Sequence, residues 1–155
     1  MQKGCVIVGY QGIGKSSVAE KDDRFIDLES SLFFISKNSR YDSWYLPYAR
    51  IARYLARKGF IVFVSSHKEV RDVLQNFDVK TYVCYPSLNL EEEWLKRLQS
   101  RWVSSGLNKD FKAWKNTEEK FKENILSLKS SPFEQIEITT LNYNLKDLIE
   151  NRLNN

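Results

Sequence analysis

The chain has 155 residues, 42% of them hydrophobic and 28% charged, with 24 basic and 20 acidic side chains giving a net charge of +4. That length suits one domain with a genuine core, residues 1–155, and is too short for an AAA+ module with its added helical domain. The longest apolar runs, such as Phe60-Ile61-Val62-Phe63-Val64, fall far below the ~18 residues of a membrane span.

The first predicted strand, Cys5–Val8, runs straight into Gly9-Tyr10-Gln11-Gly12-Ile13-Gly14-Lys15-Ser16 and is therefore not read as a signal peptide. These eight residues match the phosphate-loop pattern G-x-x-x-x-G-K-[ST] completely. Gly9 and Gly14 let the backbone turn tightly with no Cβ between the chain and a phosphate. The loop N–H groups, from Gln11 and Gly12 through Ile13 and Gly14 to Ser17, then form an anion nest. Lys15 would reach the β- and γ-phosphates of ATP, which makes it both a binding and a catalytic candidate. The Ser16 hydroxyl would hold Mg²⁺. Ser16–Lys21 can open a helix, so strand, loop and helix follow in the required order.

The second strand, Arg24–Asp27, ends in Asp27-Leu28-Glu29. Asp27 is the candidate general base or acceptor anchor, and Glu29 a second acceptor-binding carboxylate. Next, Arg40-Tyr41-Asp42-Ser43-Trp44-Tyr45 brings a cation and aromatics together. Trp44, Tyr48, Ile51 and Leu55 form a helical stripe ended by Gly59, so Trp44 and Tyr48 belong to the core. Arg40 and Tyr41 precede that helix and are candidates for binding an acceptor phosphate or base. The third strand, Phe60–Ser65, ends in Ser65-Ser66-His67, where Ser66 and His67 are acceptor-binding candidates. Ser66 with Glu69 also reads as a capping box opening a helix with Val70, Val73 and Leu74 on one face.

A fourth strand, Thr81–Tyr85, is followed by a second capping signature, Asn89 with Glu92. The helix it opens, about residues 90–104, carries an apolar face of Leu90, Trp94, Leu95, Leu98 and Trp102 and ends near Gly106. Arg97 and Arg101, spaced i and i+4, share one face of it and are catalytic candidates. The Ser104–Asn108 stretch would serve as a hinge for this lid-like helix. Phe111, Trp114, Phe121 and Ile125 mark another helix, Gln135–Thr139 a fifth strand, and Leu145–Leu153 a last helix. Trp94, Trp102, Trp114 and Phe121 all fall at helical core positions. Cys5 and Cys84 sit within strands as free thiols, which suits a reducing, cytoplasmic setting. No dense basic run is present, so nucleic acid is not expected as a partner, and a monomer or dimer is.

Alternating strands and helices imply an α/β/α sandwich, a parallel five-stranded sheet in the order 2-3-1-4-5. Ligands bind outside the C-terminal strand ends of such sheets, where the polar clusters above stand. With Gly9–Ser16, the Asp27/Glu29 pair and a late arginine-bearing helix, the chain resembles the phosphate-loop (P-loop NTPase) nucleotide and small-molecule kinases. It also looks like small kinase-like proteins of phages and prophages. The resemblance implies ATP and Mg²⁺, an acceptor held by the second-strand carboxylates, and arginines delivered to the transferred group. The function it implies is transfer of the γ-phosphate of ATP to a nucleotide, a (deoxy)nucleoside monophosphate first. The alternatives are a hydroxylated metabolite or modified nucleoside as acceptor, and an ATP-binding regulatory module without catalysis. The third strand ends in serines where related enzymes carry a carboxylate, which is what the regulatory alternative rests on.

Overall fold

The computed structural model of the chain describes residues 4–36, 39–40 and 42–155, with the backbone alone over 31–32, 34–36 and 39–40. In chain order the elements are β1 (Cys5–Gly9), α1 (Lys15–Lys21), β2 (Phe25–Asp27), a 3-10 turn (Ser30–Phe33), β3 (Phe34–Ser36) and β4 (Ser39–Arg40). Then come α2 (Tyr45–Arg57), β5 (Ile61–Val64), α3 (Lys68–Gln75), β6 (Thr81–Pro86) and a second 3-10 turn (Leu88–Leu90). α4 (Glu91–Ser105), α5 (Asn108–Lys129), β7 (Glu134–Ile138) and α6 (Leu145–Leu153) complete the chain.

Five strands form one parallel sheet in the order β2-β5-β1-β6-β7, which is the expected 2-3-1-4-5. Val6 of β1 pairs with Val62 on one side and Thr81 on the other, so β1 sits at the centre. β1, β5 and β6 are buried along their whole length, because helices cover both faces and every side chain must be apolar or small. Right-handed crossovers fix which helix lies where. The step from β1 outward to β2 puts α1 on one face, and the steps back toward β7 put α2, α3 and α5 on the other. The contacts agree: α1 packs with α6, α2 with α3, and Arg71 of α3 reaches Ser127 of α5.

Several expectations need correction. Neither capping box forms. α3 opens at Lys68 with His67, not Ser66, at the cap position, and no side chain caps it. α4 opens at Glu91 after the Leu88–Leu90 turn, whose Leu90 N–H bonds to Ser87 O at 3.1 Å and drops Leu90 into the core. Asn89 instead pairs with the Ser87 hydroxyl, and Glu91, Glu92 and Glu93 meet the positive helix end. Trp94 and Phe121 are core residues, but Trp102 and Trp114 are only partly buried. They stack on each other at 5.4 Å, with Phe111 beside them, and seal α4 to α5. The short antiparallel pair β3–β4 was not anticipated, since its strands are too short for any periodicity to register.

Candidate functional site

The C-terminal ends of β1, β2 and β5 open into one cavity of about 960 Å³. β1 delivers the Gly9–Ser16 loop to it. A Cβ on Gly9 would stand 2.8 Å from Ile13 Cδ1 and 2.9 Å from Lys15 Cδ, so any side chain there would push Ile13 and Lys15 aside. Gly12 (φ +88°) and Gly14 (φ +108°) take the left-handed conformations that the turn needs. Lys15 Nζ donates to Gly9 O at 3.1 Å, and burial holds its ammonium below the ordinary lysine range against the pull of Asp27 and Glu29.

Asp27 and Glu29 leave the end of β2 into the same cavity, and Ser65, Ser66 and His67 leave the end of β5. The spacing of these two strand ends is set by Tyr48. Its hydroxyl donates to Leu28 O at 2.5 Å and accepts from Ser65 N–H at 2.9 Å. Burial pushes the Asp27 carboxyl up, with Glu29 adding to the push, while Lys15, Lys109 and Arg101 oppose it. Ser65 Oγ and His67 Nδ1 share a hydrogen bond of 2.8 Å, and the imidazole and Trp44 rings meet in a T-shaped contact with centroids 5.1 Å apart. Ser66 gives its carbonyl to Arg71 Nε at 3.1 Å.

The two candidate arginines part company. Arg101 lines the cavity, with its Nε 3.1 Å from the buried carboxylate of Asp110. Arg97 does not line it. Its guanidinium lies behind the loop, donating to Gly12 O at 3.0 Å and Tyr143 Oη at 2.6 Å. Ser16 and Ser17 are exposed at the start of α1 and do not line the cavity. Tyr41 lies outside the described residues, and Arg40 is placed by its backbone only, in β4.

The opposite wall belongs to α5, which the motif reading missed. Lys109, Lys112 and Asn116 recur at helical spacing on the face toward the cavity, a polar stripe that was legible as a period but had no known partner. Gln11 ties the loop to this wall, its Nε2 donating to Thr117 Oγ1 at 2.7 Å and Ala113 O at 2.9 Å. Among the described residues no group of three or more His, Cys, Asp or Glu is placed to hold a metal. Asp27 and Glu29 bring two carboxylates to the cavity, oxygen donors of the kind that suits Mg²⁺ in company with phosphate oxygens and water, whereas the Ser16 hydroxyl stands outside its lining.

No family model and no curated protein matches the chain. Among solved structures it is similar to an uncharacterized protein from Eubacterium ventriosum ATCC 27560, with a TM-score of 0.56, 14% identity and 99% of each chain covered. At that identity the likeness shows the fold alone. No helix among the described residues is long and apolar enough to cross a membrane.

Proposed function

We propose that the protein is a P-loop kinase, transferring the γ-phosphate of ATP to a nucleotide acceptor, a (deoxy)nucleoside monophosphate by first choice. The observation that carries this reading is the convergence of Lys15, Asp27, Glu29 and Arg101 on one cavity at the strand ends. Phosphoryl transfer asks a protein mainly to position two substrates and neutralise phosphate charge. Lys15 and the loop amides bind the donor phosphates, and Mg²⁺, if it came with the nucleotide, would add neutralising charge, with Asp27 and Glu29 as the carboxylates within the cavity able to hold it. Asp27, made a stronger base by burial, accepts the proton of the attacking group, and Glu29 helps to hold the acceptor. An anionic acceptor is favoured over a neutral one because Lys15, Lys68, Arg71, Arg101, Lys109 and Lys112 outnumber Asp27, Glu29 and Asp110 in the lining.

The test is ADP release across nucleoside monophosphates, nucleosides and sugar acids, with ATP affinity read by calorimetry. Lys15→Ala should remain folded and lose most ATP affinity. Asp27→Asn should lower turnover by about 10²–10⁴-fold with ATP affinity nearly intact. The acid limb of wild-type kcat/KM should lie above the ordinary carboxylate value and vanish in Asp27→Asn. ATP binding without ADP release for any acceptor would favour the regulatory module, the reading that the Ser65-Ser66 end of β5 supports. Unchanged ATP affinity in folded Lys15→Ala would remove the loop from the donor site.

A further inference from the structure

Three side chains outside the cavity take three consecutive carbonyls of the Gly9–Ser16 loop. Trp94 Nε1 donates to Gln11 O at 2.8 Å, Arg97 Nη1 to Gly12 O at 3.0 Å and Tyr143 Oη to Ile13 O at 2.8 Å. Arg97 also donates to Tyr143 Oη, so the phenol accepts from a cation while it donates to the loop, and each bond polarises the next. The guanidinium carbon lies 4.3 Å from the Trp94 ring centroid, and the Trp94 and Tyr143 rings stack at 6.3 Å and 19°.

Peptide planarity turns these bonds into a direction. In a trans peptide the C=O of one residue and the N–H of the next point opposite ways, and every described peptide bond is trans. Carbonyls of Gln11, Gly12 and Ile13 that face the clamp leave the N–H groups of Gly12, Ile13 and Gly14 facing away from it. Among the described residues the Gly12 and Gly14 amides have no backbone acceptor, and the Ile13 amide has at most a weak turn contact across Gln11-Gly12, outside good hydrogen-bond geometry. Gly12 and Gly14 flank Ile13, and glycine permits the peptide planes on either side to flip. A flipped plane would present a carbonyl to an anion.

We propose that Arg97 and Tyr143 are positioning residues that lock the loop amides in the anion-accepting direction before a ligand arrives. Arg97 then acts on phosphate affinity through the backbone and does not touch the transferred group. The gain is pre-organisation: a locked loop binds without first being ordered. This inference rests on the phosphate-binding reading of the loop.

Tyr143→Phe removes one oxygen and keeps the ring, and Arg97→Gln removes the charge. In the ligand-free protein, backbone order parameters at Gly12, Ile13 and Gly14 should fall from ~0.85 toward ~0.6 in each variant. Calorimetric affinity for ATP–Mg²⁺ and for inorganic pyrophosphate should drop about tenfold, the scale of one hydrogen bond. The double variant should lose less than the product of the two, since both act through one network. Arg97→Lys, which keeps a cation able to donate to Gly12 O, should recover part of the affinity. Leu74→Val, a core change in α3, should lower Tm and leave ATP affinity alone, which separates positioning from loss of stability.

Unchanged order parameters in both variants overturn the clamp, whatever the affinities do. A loosened loop with unchanged affinity, in a wild-type protein that binds ATP, overturns the positioning role. If the wild type binds neither ATP nor pyrophosphate, the phosphate reading falls and takes the ligand half of the inference with it. The order parameters then still decide whether the clamp exists.

Discussion

Asp27 is a carboxylate kept where charge is unwelcome. Burial pushes its pKa above the ordinary 3.8, Glu29 adds to that, and Lys15 opposes it without cancelling it. A carboxyl with a raised folded-state pKa binds more protons folded than unfolded, so stability falls as pH rises from the ordinary value through the raised one. Asp27→Asn cannot ionise. Its melting temperature should therefore match wild type near about pH 4 and exceed it at about pH 7, the gap opening between. Thermal melts of both proteins across that range measure it. A variant no more stable at neutral pH would mean that attraction to Lys15 and Lys109 outweighs burial. The predicted variant is more stable and less active, the trade expected of a functional carboxylate.

At the scale of elements, the corner between α4 and α5 presents Arg101 to the cavity. Asp110, only 5% exposed, forms an ion pair with Arg101 Nε at 3.1 Å and accepts from the Ser105 hydroxyl at 2.5 Å, while Ser105 Oγ accepts from Leu107 N–H at 3.1 Å. Asp110→Ala leaves the Ser105 hydroxyl without its acceptor and Arg101 without its ion-pair partner, and should cost about 1–3 kcal/mol in denaturant unfolding. The same variant should lower kcat more than it raises KM for ATP, because Arg101 loses its aim. Arg101→Ala should reproduce the kinetic effect, whereas Arg97→Gln should act on ATP affinity. If Arg101→Ala leaves kcat unchanged once the acceptor is known, this helix is scaffold. Trp94 and Arg97 fasten the first half of α4 to the loop and Gln11 fastens α5 to it at Ala113 and Thr117, so a lid motion of the kind expected would be confined to the α4–α5 corner between these ties.

For the molecule as a whole, the two cysteines report global opening. Cys5 and Cys84 lie in the neighbouring strands β1 and β6, are 1% exposed or less, and have thiols pushed up by burial to about 12. Burial disfavours the thiolate and hides both sulfurs in the folded state, so labelling by a thiol reagent should proceed mainly through global opening of the sheet. A ligand that binds only the folded state at about 100 times its Kd adds about 2.7 kcal/mol. ATP–Mg²⁺ at that level should therefore slow labelling about a hundredfold. Fast labelling of the native protein would point to local opening of the sheet, and labelling indifferent to ATP would count against a donor site in the wild-type chain.

The sequence by itself determined the five strands of the main sheet, their order and the principal helices between them. Short continuous apolar runs at Cys5–Val8, Phe60–Val64 and Thr81–Tyr85 are of the length and composition of strands buried on both faces, and βα alternation with one crossover hand leaves few strand orders. It also marked the Gly9–Ser16 loop and the Asp27/Glu29 pair, since both are fixed by spacing of a few residues. Capping boxes were misread because a short spacing is necessary for a cap but not sufficient. Burial of Leu90 set the true start of α4, and propensity yielded to packing. Only the tertiary structure decided which residues meet across long separations. Arg97 was placed on the right helix, yet its partners Gly12 and Tyr143 lie 85 and 46 residues away, and Gln11 meets Thr117 across 106. No local preference encodes such contacts. They exist because the sheet sets the strand ends a fixed distance apart and α4, α5 and the chain before α6 must pack over them.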